Sequence, residues 1–281
     1  MYICLDLGGT NIRGTWISQQ GDHGRVELFS RPRSLEGTRE AMASLIRSIL
    51  EQAPGRVRGI GLATAGPLDH LKKRYLLTSN MPELNMFPVG EFVQESFKLP
   101  LLMENDAQAA ALGEVWKGCL AGTKDGLIIT LGTGVGSGVI MDHDIWRGAH
   151  FTGPELGHLH LGSELGLVCG CGQVGCAETW LRKSSLEDLF RREGVLFQSL
   201  QEASGMAAAG NPGIVRALKT YGQRLGLYLS SLQVVFGFKN IGIGGGLSAF
   251  VPFCQDTVQS TLEARFHKRN WWLPQKIGIS P

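Results

Sequence analysis

The sequence predicts an α/β protein made of two related halves with a cleft between them. The first observation behind this prediction is a pattern of strand, glycine turn and strand that occurs twice. When Asp6 is placed over Thr130, Gly8 falls on Gly132, and the two hairpins match at an offset of 124 residues. The second observation is that strand-like apolar runs alternate with helical spacing. Two copies of one supersecondary unit indicate related halves, with chance similarity between glycine turns as the alternative.

Composition sets the broad class. The chain has 281 residues, enough for one large domain or two modest ones. The 27 lysines and arginines against 25 acidic residues leave a net charge of +2, so bulk charge does not favour a nucleic-acid partner. With 43% hydrophobic and 19% charged residues, the balance is that of a globular protein. The 39 glycines are about twice the usual share and lie at strand ends, which indicates sites lined by backbone.

The start of the chain has no basic segment followed by an apolar run, and no stretch of about 18 apolar residues occurs. We therefore expect a cytoplasmic protein with no membrane partner. Of the six cysteines, three are scattered and three fall within eight positions. In a reducing compartment such a cluster suggests a metal before a disulfide.

Apolar runs bounded by glycine, proline or polar residues predict the strands. They are Tyr2–Leu7, Ile12–Ser18, Val26–Ser30, Val57–Ala63, Leu99–Met103, the hairpin at 126–140 and Asn240–Ile243. Apolar residues at helical spacing predict the helices. They are Leu35–Gln52, Ala107–Trp116, Glu178–Arg191, Asn211–Phe236 and Leu247–Phe266, the last disturbed by Pro252. The helix at 211–236 carries an apolar stripe that we expect in the core: Leu218, Tyr221, Leu225, Tyr228, Leu232 and Val235.

The two glycine turns are candidate phosphate sites. Glycine lets the backbone come close to a ligand, and successive N–H groups can converge on an anion. Asp6 beside the first turn could hold Mg²⁺ directly or through water. A hairpin that only connects strands is the alternative for one turn alone, but two turns together with Gly244–Gly246 favour a nucleotide site. No Gly-Lys-Ser/Thr sequence is present and neither hairpin leads into a helix, which argues against P-loop and dinucleotide-binding folds.

Asp106 is a candidate general base. It ends an apolar strand and opens a helix, where neighbouring groups can fix its orientation and its proton affinity. Aspartate is also a favoured N-cap, and the helix at Ala107–Trp116 needs one. The spacing alone leaves both roles open.

A third group of residues has the composition of a metal site. His158 is followed by Cys169, Cys171 and Cys176. Three thiolates and one imidazole fill a tetrahedral Zn²⁺ shell with no open position, as in structural zinc sites. The alternative is three reduced core cysteines and a surface histidine. His160 is a competitor for the ligand role, and we expect it to be a bystander.

Taken together, the motifs resemble those of the ROK family of sugar kinases and repressors, within the actin-like/hexokinase ATPase fold. The matching segments occur in family order and cover most of the chain from residue 3 to about 246. They are Asp6–Arg13, Glu104–Ala107, Leu131–Gly136, Glu155–His158 and Cys169–Glu178. The string Gly-His…Cys-x-Cys-Gly-x-x-Gly-Cys-x-Glu is highly specific, whereas the first glycine turn alone is not.

The resemblance implies two duplicated actin-like (ribonuclease H-like) α/β domains around a central cleft, residues 1–112 and 113–281, with a zinc knuckle inserted at about 150–180. It also implies an ATP-dependent kinase that transfers the γ-phosphoryl group to a hexose hydroxyl, with ATP, Mg²⁺ and structural Zn²⁺ as cofactors. Glucose is the first expectation, and N-acetylmannosamine, N-acetylglucosamine, fructose and allose stay open, as does polyphosphate as the donor. Sugar and ATP are then the partners, and a homodimer is the base-rate expectation.

The resemblance assigns roles to individual residues. Asp106 resembles the general base that faces the acceptor hydroxyl. The sugar contacts are Asn80, Asn105, Glu155, His158 and Glu178. The nucleotide residues are Asp6, Gly8, Gly9, Thr10, Asn11, Arg13, Gly132, Thr133, Gly134, Gly245 and Gly246, the last two near the nucleoside. The zinc ligands are His158, Cys169, Cys171 and Cys176, so that His158 would both ligate the metal and shape the sugar pocket.

Several features depart from the family pattern. Ser137 stands where the family often has glycine. Pro154 precedes Glu155 where a small residue is usual, which could tilt that glutamate. Ten residues separate His158 from Cys169, fewer than in the commonest form. The chain reaches Pro281 without the family's Ala-Gly-rich closing helix.

Two other functions stay open. The family includes sugar-responsive transcriptional repressors, which carry a helix-turn-helix domain before the first glycine hairpin. Only five residues precede Asp6, so we expect no such domain and no nucleic-acid partner. The other alternative is a catalytically inactive sugar-binding sensor, against which the intact Asp106 counts.

Overall fold

The computed structural model describes residues 1–78 and 81–280. Within these residues the chain divides into two compact units. Unit 1 comprises Met1–Ala109 and Arg147–Gly153, and unit 2 comprises Ala110–Trp146 and Pro154–Pro281. The segment Arg147–Gly153 therefore packs with residues that lie far from it in the sequence.

Unit 1 has a five-stranded mixed sheet and a separate two-stranded hairpin. The strands of unit 1 are β1 (Tyr2–Leu7), β2 (Asn11–Ile17), β3 (Glu27–Ser30), β4 (Ile60–Thr64), β5 (Leu68–Asp69), β6 (Arg74–Tyr75) and β7 (Leu101–Asn105). The sheet order is β3-β2-β1-β4-β7, and β5 pairs with β6 in a separate hairpin. Strands β1, β2 and β3 pair antiparallel, whereas β4 is parallel to both β1 and β7. The helices are α1 (Leu35–Gln52), α2 (Val89–Phe97) and the start of α3 (Asp106–Lys117), with a 3-10 turn at Pro82–Leu84.

The strands of unit 2 repeat this arrangement. They are β8 (Gly126–Leu131), β9 (Val135–Met141), β10 (Asp144–Ile145), β11 (Asn240–Gly244) and β12 (Lys276–Ile279). The helices are α4 (Ala177–Leu181), α5 (Lys183–Arg192), α6 (Leu200–Ala208), α7 (Pro212–Phe236) and α8 (Gln255–Phe266), with 3-10 turns at Leu156–His158, Ser248–Phe253 and Asn270–Trp272. The sheet order is β10-β9-β8-β11-β12, with β8, β9 and β10 antiparallel and β11 parallel to both β8 and β12.

The two sheets therefore share one strand order and one set of strand directions. Leu7 pairs with Ile12 across the first glycine turn, and Leu131 pairs with Val135 across the second. This repetition confirms the predicted α/β fold with duplicated halves. The β-strands that sequence analysis missed are the short β5, β6 and β10 and the parallel edge strand β12, and the missed helices are α2 and α6.

One predicted helix is wrong. Glu178–Arg191 is not continuous, because Arg182 has an extended backbone with φ −66° and ψ 164° between α4 and α5. The backbone N–H of Lys183 donates to the carbonyl oxygen of Gly132 at 2.7 Å instead of continuing the helix. The backbone N–H of Lys183 thus bonds to the second glycine turn and not to a carbonyl of α4. Helix α7 agrees closely with its prediction, and the side chain of Asn211 caps it by accepting from the N–H of Ile214.

Each unit has its own apolar core. In unit 1, residues of α1 such as Met42 and Ile46 are buried against Ile3 and Leu5 of β1. In unit 2 the apolar stripe of α7 lies in the core as predicted, except that Val235 is 68% exposed. The buried part of the stripe therefore ends at Leu232, and α7 ends at Phe236, followed by Gly237 in the left-handed conformation. No helix of the described residues is long and apolar enough to cross a membrane.

Candidate functional site

The first glycine turn connects β1 to β2 and carries a charged pair beside it. Asp6 and Arg13 face each other in the register of the two strands, and the Arg13 guanidinium lies 2.6 and 2.7 Å from Oδ2 of Asp6. The N–H of Gly8 donates to the carbonyl oxygen of Asn11 at 2.9 Å, which closes the turn. Thr10 is exposed at its tip. The structure thus brings the predicted nucleotide residues of unit 1 together.

Parallel strands bring Asp6 close to the segment Glu104–Asp106. Asp6 pairs with Ala63 of β4, and Ala63 pairs with Glu104 of β7. The carboxyl ends of these three parallel strands therefore lie side by side at one edge of the sheet. The carboxylate of Asp6 is near enough to raise the pKa of Asp106. The edge therefore holds acidic groups beside a glycine turn.

The side chain of Asn105 takes the capping role that the sequence left open for Asp106. Its Oδ1 accepts from the N–H of Ala107 at 3.0 Å and from the N–H of Gln108 at 3.3 Å. Oδ1 of Asp106 also accepts from the N–H of Ala107, at 2.8 Å. Because Asn105 serves two backbone donors, the capping demand on Asp106 is reduced.

The environment of Asp106 raises the pKa of its carboxyl group. Asp106 is open to solvent on one side, while the protein around the rest of it displaces water. This desolvation raises the pKa of Asp106 above its usual value, and the nearby Asp6 raises it further, against the lowering effect of the Ala107 N–H. A raised pKa makes a carboxylate a stronger base, and an open face is what a group that meets a substrate requires.

Sequence reasoning missed the ion pair behind this segment. Glu104 is buried, and its Oε2 accepts from Nε of Arg147 at 2.9 Å and lies 2.7 Å from a second guanidinium nitrogen. Its Oε1 accepts from the N–H of Asn105 at 3.0 Å. Nε2 of His70 lies 3.5 Å from the same Oε1. Arg147 thus ties the segment at 147–153 to the residue next to Asn105, across 43 positions that no local pattern spans.

The second glycine turn lies against Glu178. The N–H of Val135 donates to Oε2 of Glu178 at 3.2 Å, and a Cβ at Gly134 would come within 2.5 Å of that oxygen. Gly245, with φ +83°, lies against the end of β8, where a Cβ would meet the carbonyl oxygen of Leu131 at 2.4 Å. Close packing against backbone therefore requires glycine at 245, whereas a side chain at 134 would displace the carboxylate of Glu178. Gly132 and Gly246 have open space where a Cβ would stand.

The structure brings together the four predicted metal ligands. One donor atom from each of His158, Cys169, Cys171 and Cys176 lies within 4.8 Å of the others. Sγ of Cys169 is 3.4 Å from Nδ1 of His158, and Sγ of Cys171 is 3.6 Å from Sγ of Cys176. A tetrahedral shell with Zn–S bonds of about 2.3 Å places its donors about 3.8 Å apart, so three sulfurs and one nitrogen at these separations fit zinc.

His160 lies beside this cluster but contributes no donor to it. It forms a β-bridge with Cys176, and its ring packs where a Cβ of Gly175 would stand. Gly175 has φ +92° and Gly172 has φ +86°, so the tight fold of the knuckle depends on residues that adopt the left-handed region. His160 is therefore a neighbour of the cysteine cluster, and its role as a bystander stays a prediction.

Glu155 is exposed in the loop before the 3-10 turn at Leu156–His158. Ser137 holds the backbone on both sides of it. Its Oγ donates to the carbonyl oxygen of Pro154 at 2.7 Å and accepts from the N–H of Leu156 at 3.3 Å. The serine that departs from the family pattern thus makes two hydrogen bonds that glycine could not make. The predicted sugar contact Asn80 lies outside the described residues.

Known proteins resemble this chain in sequence and in fold. The sequence model of the ROK family matches residues 2–277. A glucokinase of Halalkalibacterium halodurans is 28% identical over 270 residues, which cover 88% of this chain and 80% of that protein. A xylose repressor of Bacillus spizizenii is 27% identical over 263 residues, covering 92% of this chain and 65% of the repressor. The crystal structure of a ROK family glucokinase from Streptomyces griseus with glucose and AMPPNP has a TM-score of 0.83 at 26% identity, covering 99% and 94% of the two chains.

Proposed function

The chain belongs to the ROK family and is a sugar kinase, and from that premise we propose that it transfers the γ-phosphoryl group of ATP to a hexose hydroxyl, glucose first. The observation that carries the proposal is Asp106. It is an open carboxylate with a raised pKa, largely relieved of helix capping by Asn105 and placed at a sheet edge beside a glycine turn.

In this proposal Asp106 accepts the proton of the acceptor hydroxyl. The hydroxyl oxygen forms a bond to the γ-phosphorus, the bond from that phosphorus to the β-phosphate oxygen breaks, and ADP leaves. The proton then passes from Asp106 to solvent. Little covalent chemistry is asked of the protein, so its main tasks are to orient the two substrates and to stabilise negative charge.

The glycine turns Gly8–Thr10 and Gly132–Gly134 are assigned to the phosphates, and Gly245 and Gly246 to the nucleoside side. Asp6 fits a contact with Mg²⁺, because both Arg13 bonds go to Oδ2 and leave Oδ1 for a metal-bound water. Bound Mg²⁺ would neutralise charge on the phosphates. Arg13 and Asn11, exposed beside the turn, complete this set of nucleotide residues.

The sugar contacts proposed from the described residues differ in what they can offer. Asn105 uses its Oδ1 for two backbone N–H groups, so its amide NH₂ is the part that can meet a hydroxyl. Glu178 accepts from Val135 and lies 3.3 Å from Sγ of Cys169, so only its remaining lone pairs can receive a sugar hydroxyl. Glu155 and His158 are both exposed. The carboxylate of Glu155 can accept from a hydroxyl, and the ring nitrogen of His158 that does not face the cysteines can donate to one. Asn80 stays a prediction.

We assign a structural zinc ion to His158, Cys169, Cys171 and Cys176, since four donors leave no open position for catalysis. Such an ion would stabilise the knuckle and hold His158 in place.

The experiment is to mix the protein with ATP, Mg²⁺ and a panel of hexoses and to follow ADP release. We expect release that depends on one or a few sugars and is lost in Asp106→Ala. Folded protein that releases no ADP with any sugar, or an Asp106→Ala variant with full activity, would overturn the proposal. Inorganic polyphosphate in place of ATP tests the donor.

The xylose repressor relative favours a second candidate, a sugar-responsive regulator. Its test is a gel shift with DNA at physiological salt, in which specific binding would favour that function over catalysis.

A further inference from the structure

A buried arginine lies directly behind the first glycine turn. Arg31 follows β3, and its side chain is only 1% exposed. Nε donates to the carbonyl oxygen of Gly8 at 2.9 Å, and a terminal nitrogen donates to that of Gly9 at 2.7 Å. The backbone N–H of Arg31 donates to the carbonyl oxygen of Thr10 at 2.8 Å. Three consecutive carbonyls of the turn thus point at one residue.

This arrangement fixes the direction of the turn's N–H groups. In a planar trans peptide the C=O and the N–H of the next residue point to opposite sides. Because the carbonyls of Gly8 and Gly9 face Arg31, the N–H groups of Gly9 and Thr10 face away from it. Both residues are exposed. These are the donors that a phosphate-binding turn needs.

The space beyond those donors is open. A Cβ built at Gly9 would meet no atom within 4 Å, and Gly9 is not among the described glycines with positive φ. Neither packing nor backbone conformation therefore explains glycine at this position. Close approach of a ligand to the backbone does explain it.

The guanidinium itself is held from the opposite side. Its second terminal nitrogen donates to Oε1 of Glu83 at 2.5 Å and to Oγ1 of Thr38 at 3.2 Å. Glu83 belongs to the 3-10 turn at Pro82–Leu84 and is 19% exposed. A buried cation needs such a counter-charge, and the planar fork of arginine can serve two carbonyls and a carboxylate at once, which lysine cannot.

We propose that Arg31 is a positioning residue of the nucleotide site, which orients the N–H groups of Gly9 and Thr10 toward the phosphates and is itself held by Glu83. The inference rests on the proposed function, because it assigns the turn to nucleotide phosphates. A purely structural Arg31 would stabilise unit 1 without any effect on how phosphates are bound.

The test compares nucleotides that differ only in phosphates. Dissociation constants for AMP and for AMPPNP with Mg²⁺ are measured by calorimetry in wild type, Arg31→Lys, Glu83→Gln and a control at the exposed Arg25, Arg25→Gln, all well below their melting temperatures. In wild type AMPPNP should bind more tightly than AMP. We expect Arg31→Lys to reduce this phosphate-dependent gain in affinity about ten-fold, since misdirecting a charge-assisted hydrogen bond costs roughly that much. AMP affinity should stay within about two-fold, and Arg25→Gln should match wild type.

If Arg31→Lys lowers the melting temperature but leaves the phosphate-dependent gain in affinity unchanged, the inference is overturned and Arg31 is a structural residue. If Arg31→Lys does not fold, Glu83→Gln takes its place in the test, because it keeps the arginine and weakens only its anchor. We expect Glu83→Gln to reduce the phosphate-dependent gain in affinity about three-fold. An unchanged gain in that variant would overturn the inference. Wild-type protein that binds no AMPPNP would instead overturn the proposed function, and this inference with it.

Discussion

The carboxylate of Glu178 lies between a proposed zinc ligand and the second glycine turn. Its Oε1 is 3.3 Å from Sγ of Cys169, and its Oε2 accepts from the N–H of Val135 at 3.2 Å. A change at the cysteine cluster therefore reaches the turn through one side chain. This contact gives a physical reason for a structural metal to affect substrate binding.

Two neighbouring histidines provide a matched test of the metal site. We expect wild type purified without chelator to hold about one equivalent of zinc, and His158→Ala to hold less than about half. His160→Ala should keep its zinc, because His160 contributes no donor atom to the cluster. The free energy of unfolding should fall by roughly 2 kcal/mol or more in His158→Ala, since the binding of a structural metal is coupled to folding. Elemental analysis and chemical denaturation check both; equal zinc in the two variants would contradict the assignment.

Ser137 offers a test of how Glu155 is positioned. In Ser137→Ala the carbonyl of Pro154 and the N–H of Leu156 lose their partner, so the backbone around Glu155 loosens. We expect the sugar KM to rise about three- to ten-fold while the ATP KM stays within about two-fold. Steady-state kinetics measure the split, with Ser260→Ala on the exposed face of α8 as the control. An equal rise in both KM values would show a general loss of structure instead.

The buried Glu104 offers a test of whether its ion pair holds Asn105 and the proposed base Asp106 in place. Glu104→Gln removes the charge that pairs with Arg147 and weakens its contact with the N–H of Asn105. We expect a loss of about 1–3 kcal/mol in the free energy of unfolding and a fall in kcat of about ten-fold. The control is Glu36→Gln, whose pair with Arg39 is exposed and should change stability by less than about 0.5 kcal/mol. Denaturation and kinetics that show no difference between the variants would remove Glu104 from this role.

Much of the fold could be predicted because its signals are local. The bounds of β1 follow from a short apolar run, and those of α1 follow from helical spacing alone. The duplication was visible because a glycine turn constrains both hairpins in the same way. The cysteine cluster was visible because its ligands lie within a short span of sequence.

What sequence could not reveal are contacts between distant positions. Helix α4 ends where Lys183 donates to Gly132, and nothing in the local pattern of 178–191 marks that break. In the sequence Arg31 looks like an ordinary surface residue after a strand. In the structure its side chain donates to the carbonyl oxygen of Gly8, 23 positions earlier. Asn105 and Asp106 are equally good N-cap residues by type. The sequence therefore could not show that Asn105 takes the larger part in capping α3, which depends on side-chain geometry.

The pH dependence of kcat follows from the environment of Asp106. A general base works only when deprotonated, and desolvation together with the charge of Asp6 raises the pKa of Asp106 above 3.8. We therefore expect activity to fall on the acid side with a midpoint above 3.8. Asp6→Asn should move that midpoint to lower pH, because it removes a negative neighbour and frees the Arg13 guanidinium. A pH–rate profile of residual activity measures this; a midpoint that moves upward in Asp6→Asn would contradict the coupling.

The same shift makes Asp106 costly for stability. Because the pKa of Asp106 is raised in the folded state, the folded protein holds the proton of this carboxyl more tightly than the unfolded chain does. The resulting contribution to the free energy of unfolding is present at acid pH and is lost as the pH rises through the folded-state pKa. At neutral pH we expect Asp106→Asn to unfold at a higher temperature than wild type, with the advantage shrinking at acid pH. Its kcat should fall about 10²–10⁴-fold, since an amide cannot accept the proton. The surface control Asp256→Asn should keep full activity. Full activity in Asp106→Asn would contradict the role in proton transfer, and a variant less stable than wild type at neutral pH would contradict the predicted cost to stability.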